Sequence, residues 1–389
     1  MPSPLRILHY LPSLDPRHGG PIRAVQDLSS ALSRRGHAVT ISTSELPPKG
    51  LEKANAAPGP APALTIEFLG EALVKGAWMR AASRDRVRML LRDHDLLHVH
   101  GTWDVSNAQL GRLARSMKKP YFVSVRGMLD DWCMAQKAAK KRVFLALAGR
   151  RHLERAASVH LTADFEFDQA RKWFPNGRGV VIPNLLELAP FRALPGPGAA
   201  RAQWPALAEG EPVILFLSRV HIKKGVDVLL LAFSLLRKRG VRAKLVIAGS
   251  GEPAYEQEMK ELAASLGVGD AATFTGHVGG PLKLSLYEAA AVMAMPTSQE
   301  NFGFVFPESL ACGTPVVTTK GVDIWPQLER SGAALIVERT PEAFADAIEK
   351  LLADPARLAA MREKARPFVF SEYDEERLLD AYEKMYRGE

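Results

Sequence analysis

Residues 296–308 read Pro296-Thr297-Ser298-Gln299-Glu300-Asn301-Phe302-Gly303-Phe304-Val305-Phe306-Pro307-Glu308, directly after the apolar run Val292–Met295. A short apolar run that stops at a proline predicts a buried strand, and the polar, glycine-containing segment after it predicts a loop. Pro307 suits the first position of a helix, where its missing N–H costs nothing, and this leaves Glu308 in the first turn. The helix dipole favours a carboxylate there. The segment therefore reads as strand, loop, helix, with Glu300 in the loop. In doubly wound sheets such loops lie at the carboxyl ends of the strands, where ligands bind.

The same alternation runs outward in both directions. Strands are predicted at Ile7–Tyr10, Ala38–Thr43, Leu64–Phe68, Leu96–His100, Tyr121–Val125, Ser158–Leu161 and Val180–Ile182, then at Val213–Ser218, Lys244–Ala248, Ala272–Thr275, Val292–Met295, Val316–Thr318 and Ala334–Val337. Amphipathic stretches separate most of them, the pattern of βαβ units on parallel sheets. Prolines 190, 195, 197, 205 and 212 crowd one stretch with few apolar periods, read as an interdomain linker or mobile lid. Pro47 to Pro62 reads as a Pro/Ala-rich surface loop. The domain expectation is thus 1–190, 191–370 and a closing helix over 371–389, which packs back towards the first domain.

Length and charge agree with this division. A chain of 389 residues suits two or three domains, and 47% hydrophobic with 24% charged residues excludes a disordered or fibrous chain. The net charge of +8 is one-sided: residues 1–200 carry 29 Lys+Arg against 17 Asp+Glu, and the remainder carries 22 against 26. The basic half calls for an anionic partner. Cys133 and Cys312 are too few for a disulfide framework, which fits a reducing cytoplasm. The start lacks the pattern of a signal peptide, and no apolar run approaches the ~18 residues of a membrane span.

Further strand-end loops carry candidate chemistry. Gly19-Gly20 opens a helix, where bare N–H groups favour an anion, although GxGxxG is absent. Ser218-Arg219-Val220-His221-Ile222-Lys223-Lys224-Gly225 sets two cations around a helix start, a cradle for a diphosphate, and Gly249 marks a close approach at the same edge. His98 and His100 face one side of a strand, as two metal ligands do. Two ligands do not make a site, so the pair is read as a core histidine plus one, His100, that reaches the cleft, with no metal. Asp93-His94-Asp95 has D-x-D form but precedes its strand, and reads as a helix-ending turn on the wrong edge of the sheet. Glu308 can accept hydrogen bonds from two adjacent hydroxyls, as the acidic residue of nucleotide folds does with a ribose. Its alternative is to complement the dipole.

Taken together, the E-x7-E of Glu300 and Glu308, the S-R-x4-K-G of Ser218 to Gly225, the Gly19-Gly20 loop, the strand-end His98-Val99-His100-Gly101 and Cys312-Gly313-Thr314-Pro315-Val316 resemble glycosyltransferase family 4 in order and spacing. The resemblance spans nearly the whole chain. It implies a GT-B fold, an α/β architecture of two Rossmann-like domains whose parallel sheets face a central cleft. It also implies a retaining, metal-independent hexosyltransferase that uses a UDP- or GDP-sugar. Arg219 and Lys224 would hold the diphosphate, and Glu308 the ribose. Glu300 with backbone groups around Asn301, Phe302, Gly303 and Phe304 would bind the sugar, and the N–H groups at about Gly303 to Val305 could meet a phosphate or a sugar. Val278 would sit by the base, and His100 by sugar or acceptor. The acceptor expected is a glycan or polyprenyl-diphosphate-linked species in surface polysaccharide or lipopolysaccharide assembly.

Three departures stand out. Ala291 replaces a common Asp, Asn301 replaces a common Gly, and Arg126-Gly127 stands where many relatives place a His. An Arg there could meet an acceptor phosphate. Lys137, Lys140, Lys141, Arg142, Arg150, Arg151 and Arg155 alternate with Val143, Phe144, Leu145 and Leu147, either an ordinary helix or a surface that rests on anionic lipid. A GT-B nucleotide-sugar epimerase or hydrolase, or a non-catalytic nucleotide-sugar binder, would share the donor contacts. A nucleic-acid partner has only the charge of the first half behind it.

Overall fold

The computed structural model describes residues 3–15, 19–46, 64–70, 78–207 and 210–389. The Pro/Ala-rich stretch 47–62 lies outside them. Two compact units emerge, one of residues 1–187 and 375–389, the other of 188–374.

The first unit is built on seven strands, β1 (Arg6–Tyr10), β2 (Ala38–Thr43), β3 (Thr65–Phe68), β4 (Leu96–His100), β5 (Tyr121–Ser124), β6 (Ser158–Leu161) and β7 (Gly179–Val181), in the order 3-2-1-4-5-6-7. All pairs are parallel. Parallel sheets are covered on both sides, and here the two faces differ in chemistry. Leu8, Tyr10, Leu97, Val99, Tyr121, Val123, Val159 and Leu161 form one apolar face, packed on Val87, Leu91, Leu110 and Ala114 of the crossover helices. The alternate positions are polar. Register pairs His9 with His98, His100 with Ser124, and Ser124 with His160, so these side chains share the opposite face. All are buried.

The C-terminal helix Glu375–Arg387 covers that polar face. Its Tyr386 ring packs edge-on against Phe122 and His98 at 5.2 and 5.7 Å, and Tyr382 lies 5.2 Å from His160. Ion pairs hold the helix's outer side, from Arg34 to Glu375 at 2.8 Å and from Arg35 to Glu376, Asp380 and Glu383, and His37 Nε2–H donates to Glu383 at 2.9 Å while its Nδ1 accepts from Leu5 N–H.

The second unit carries β8 (Val213–Leu217), β9 (Lys244–Ala248), β10 (Ala272–Gly276), β11 (Val292–Ala294), β12 (Val316–Thr318) and β13 (Ala334–Ile336), ordered 10-9-8-11-12-13 and again parallel. The order reverses between β8 and β11, as it does between β1 and β4 in the first unit. The proline-rich stretch is neither linker nor lid. It folds into the short helices Ala189–Arg192 and Gly198–Gln203 and buries Phe191, Ala200 and Leu207. Gly196 and Ala200 donate their N–H groups to Glu288 and Ser285 at 2.7 and 2.9 Å. Prolines 190 and 197 sit at helix starts, where φ is preset, so they organise the stretch instead of loosening it.

Removing one hydroxyl tests how the polar face is held. Tyr386 Oη lies 2.8 Å from His98 Nδ1, and Tyr386→Phe leaves that buried nitrogen without a partner. Urea unfolding of the first unit is expected to show a loss of about 1–3 kcal/mol. An unchanged stability would mean the helix is held by its rings and outer ion pairs alone.

Candidate functional site

At the switch point of the second unit, the loop after β8 is locked to its neighbours by backbone contact. Ser218 and Val220 donate to the carbonyls of Ala248 and Ser250 at 3.0 and 3.1 Å. A Cβ on Gly249 would lie 1.8 Å from the Ser218 oxygen, so only glycine permits this approach. Residues Ile222–Lys224 make a single tight turn, and Gly225, at φ 73°, starts the next helix. A Cβ there would lie 2.2 Å from the carbonyl oxygen of Pro296, which is how the β8 and β11 loops come together. Lys224 is thereby buried at 5% exposure, and its ammonium is paired with Glu300 Oε2. Arg219 is exposed, with no hydrogen bond or ion pair to another described residue. Burial first, then the charges of Arg219, Lys223 and Lys224, push the neighbouring His221 pKa down, against a smaller opposing effect of Glu252.

The Glu300 loop is tied to the loop after β12. Glu300 N–H donates to Gly321 O at 2.7 Å, Asp323 N–H donates to Glu300 O at 3.0 Å, and Asn301 Nδ2 donates to Asp323 Oδ2 at 3.0 Å. The second Glu300 oxygen accepts from Asn301 N–H at 3.1 Å. Phe302 and Phe304 turn inward, edge to face at 5.0 Å, so this part of the loop withholds its aromatic side chains from the surface. Gly303 has φ 61° between them. The helix that follows spans Val305–Ala311, starting two residues before Pro307, and Glu308 still falls in its first turn.

Glu308 is 1% exposed and carries two partners that the sequence reading missed. Lys283 Nζ lies 2.8 Å from Oε1, and Tyr287 Oη donates to Oε2 at 3.0 Å. Both stand on the helix Gly280–Ala289, four residues apart and therefore on one face. That spacing, just after Val278, was the available signal. Val278 itself is buried at the end of β10. Thus Arg219, Lys224, Glu300, Glu308, Val278, Gly249 and residues 301–305 all gather at the carboxyl edge of one sheet.

Gly19, Gly20, His100 and Arg126 belong to the first unit. Gly19, at φ 79°, directly precedes the helix Gly20–Arg34. His100 does not reach the surface: like His9, His98 and His160 it is fully buried. The network fixes its protons. Ile182 O can only accept, so His160 Nε2 at 2.8 Å carries hydrogen and Nδ1 accepts from Ser124 Oγ at 2.7 Å. Ser124 then accepts from His98 Nε2 at 2.8 Å, and His98 Nδ1 accepts from Tyr386. Arg126 can only donate, so His100 Nδ1 accepts from it at 3.1 Å and His100 Nε2 donates to His9 Nδ1 at 2.9 Å. The last donor, His9 Nε2–H, is buried without a partner among the described residues.

His9, His98 and His100 bring ligand atoms within 4.8 Å of one another, close enough for a metal trio by distance alone. The chemistry disfavours an ion. Both His98 nitrogens are in use, no carboxylate belongs to the trio, and a guanidinium stands against His100. The Asp93-His94-Asp95 turn also has a structural task, since Asp95 binds Arg6 side chain and backbone at 2.8 Å each.

Two family models account for most of the chain: "Glycosyl transferase 4-like domain" matches residues 19–185 and "Glycosyl transferases group 1" matches 201–368. A D-inositol 3-phosphate glycosyltransferase of Segniliparus rotundus is 31% identical over 376 residues, covering 88% of this chain and 79% of the relative. A GDP-mannose-dependent α-(1-6)-phosphatidylinositol monomannoside mannosyltransferase of Mycobacterium tuberculosis is 26% identical over 402 residues, covering 99% and 98%. The solved structure of Anabaena HepE in complex with UDP superposes with TM-score 0.78 at 17% identity, covering 98% of this chain and 99% of that one. Two parallel sheets of seven and six strands with these matches define a GT-B glycosyltransferase. The chain belongs to glycosyltransferase family 4.

The histidine layer makes acid stability a measurable property. Burial, the largest cause, pushes His9 and His160 to about 3 and holds His98 and His100 well below the ordinary value. The unfolded chain binds these protons below about pH 6.5 and the folded chain does not. Stability is therefore full above that pH and falls as pH drops, by about 1.4 kcal/mol per unit for each histidine kept neutral. Urea midpoints at pH 7.5, 6 and 5 are expected to fall steeply. A flat profile would rule out the neutral layer.

Proposed function

We propose that the enzyme transfers a hexose from a UDP- or GDP-sugar to a hydroxyl of a glycan or polyprenyl-diphosphate-linked acceptor, with retention of anomeric configuration and without a metal ion. The observation that carries this reading is the pairing of Lys224 with Glu300 at a switch point where Arg219 remains unengaged. The relatives named as glycosyltransferases and mannosyltransferases support the hexosyl and GDP options, and HepE, in complex with UDP, supports the other. Surface polysaccharide assembly is the setting we infer for the acceptor.

In this reading, Arg219 and Lys224 meet the diphosphate. The bond from the anomeric carbon to the phosphate oxygen breaks, the acceptor oxygen forms the new bond on the same face, and its proton passes to the departing phosphate. Charge builds on phosphate oxygen, so preorganised cations contribute most of the stabilisation. They also supply the electrostatics for which other transferases use a metal. Glu300 binds sugar hydroxyls while sharing the Lys224 ammonium, which has three donors. A carboxylate so paired is a weak nucleophile, which favours front-face attack over a covalent sugar. Glu308 meets the ribose, and Lys283 and Tyr287 hold its carboxylate in place.

The helical segment from Ala138 to Glu154 passes through a wide turn at Leu145–Gly149 without ending, and it exposes Val143 and Leu147 at 57% and 81%. Exposed Lys140, Arg142, Arg150 and Arg151 surround them in sequence. Apolar residues flanked by cations suit an anionic bilayer, which we propose as the docking surface. No helix among the described residues is long and apolar enough to cross a membrane.

Calorimetric titration with UDP, GDP and ADP is expected to find one that binds, with Glu308→Ala weakening it at least about 10-fold. Arg219→Ala is expected to lower kcat by about 10²–10³, and excess chelator to leave the rate unchanged. Binding of no nucleotide, or binding that Glu308→Ala leaves unaltered, would refute the site. Sedimentation with vesicles containing anionic lipid should capture the protein at low salt and release it at high salt, and Leu147→Glu should weaken capture. Absence of capture at low salt would refute the docking surface.

A further inference from the structure

The ion pair of Glu308 and Lys283 is closed on one side and open on the other. Nζ lies 2.8 Å from Oε1, with the carboxylate side chain 1% exposed and the lysine side chain 23%. Tyr287, fully buried, fills the other flank by donating to Oε2 at 3.0 Å. Glu308 thus sits behind its partners, and a group that reaches it from solvent arrives beside the Lys283 ammonium.

That ammonium has donors to spare. It carries three N–H groups, and Glu308 is its one partner among the described residues, so two remain. Their position is set by two elements. Lys283 and Tyr287 stand four residues apart on the helix Gly280–Ala289 and hold one carboxylate between them, while the carboxylate itself comes from the helix Val305–Ala311.

Distance and charge decide what the spare donors suit. A hydroxyl that donates to Oε1 lies within about 5 Å of an ammonium bonded to the same oxygen, and a small rotation of the lysine closes the contact. The pair is neutral as a whole, so a phosphate that met the ammonium would also meet the carboxylate 2.8 Å behind it and be repelled. A carbonyl would satisfy the ammonium and offer nothing to Glu308. A hydroxyl answers both, because it accepts through its lone pairs and donates its hydrogen.

We infer that Lys283 is a ribose-binding residue of the donor site, its ammonium donating to a ribose hydroxyl whose own hydrogen goes to Glu308. This rests on the nucleotide-sugar reading above and gives that site a second specificity residue. Glu308 reads the hydroxyl as a donor and Lys283 reads it as an acceptor, so a deoxy sugar fails on both counts.

The test is calorimetric titration of the full chain with UDP and GDP and with their 2′-deoxy and 3′-deoxy forms. Wild type is expected to lose at least about 10-fold in affinity for one of the deoxy forms. Lys283→Met should weaken the parent nucleotide by about 10-fold and shrink that discrimination. A lysine that acted only by holding the carboxylate would give the same pattern, so the deciding comparison is made in Glu308→Gln, where no carboxylate is left to hold. There, adding Lys283→Met is expected to cost at least about another 3-fold, because the lysine's own contact with the hydroxyl is lost. No further loss in that background would overturn the proposal. So would Lys283→Met that binds the parent nucleotide as tightly as wild type or more tightly, or a wild type that treats all three sugars alike. The double variant buries no unpaired charge, which keeps the comparison available if Lys283→Met alone does not fold. Absence of binding by any nucleotide would refute the donor reading and this one together, whereas nucleotide binding that Glu308→Ala weakens and that Lys283→Met leaves intact would overturn the Lys283 assignment alone.

Discussion

A polar group can be buried only if something accepts or donates to it, and this requirement organises both units. In the first, one face of a seven-stranded sheet carries His9, His98, His100, Ser124 and His160 where an α/β protein would ordinarily place aliphatic residues. Such a face cannot be covered by leucines. It needs a helix that brings hydroxyls, and Tyr382 and Tyr386 meet that need. In the second unit the requirement is met locally: two carboxylates at the strand ends are each matched to a lysine, Glu300 to Lys224 and Glu308 to Lys283. The difference follows from depth. Strand-end loops can find their own partners, whereas a sheet face depends on what packs over it.

This also explains what could be read in the sequence and what could not. The thirteen strands among the described residues were legible, because runs of Val, Ile and Leu bounded by Gly and Pro are set by local chemistry. The loops with Arg219, Glu300 and Glu308 were legible for the same reason: each lies a few residues after a visible strand. The histidine layer was not, since it requires the register of four strands. His98 and His100 show as a pair, but nothing near them in sequence announces Tyr386, which is 288 residues away from His98. Without that partner His100 reads as surface-reaching; with the register known, it is a brace for Arg126. The proline-rich stretch misled in the opposite direction, because proline density signals irregularity while Phe191, Ala200 and Leu207 supply anchors too sparse to register as a period.

The uneven charge of the chain also finds a distribution. The half after residue 200 holds Lys224 and Lys283 in fixed ion pairs and carries Arg219 at one strand-end loop, so a nearly balanced unit gathers cations at one edge. The basic half spends little of its surplus inside. Arg126 is the exception, and much of the rest lies on exposed helices, with the segment from Ala138 to Glu154 densely basic. Net charge thus describes solubility and encounter, while a single buried charge depends on the partners that hold it.

The first unit is discontinuous: residues 375–389 arrive only after the whole of the second has been made. A ribosome delivers residues in order, so 188–374 are complete as a block while the sheet of the first unit still waits for its cover. During that interval His98 and His160 lack their tyrosine partners, and the chain holds a half-finished surface that the later helix Glu375–Arg387 closes. The cover of the first sheet is therefore made later than the whole second unit, and a chain cut short before residue 375 would carry one unit whole and the other open.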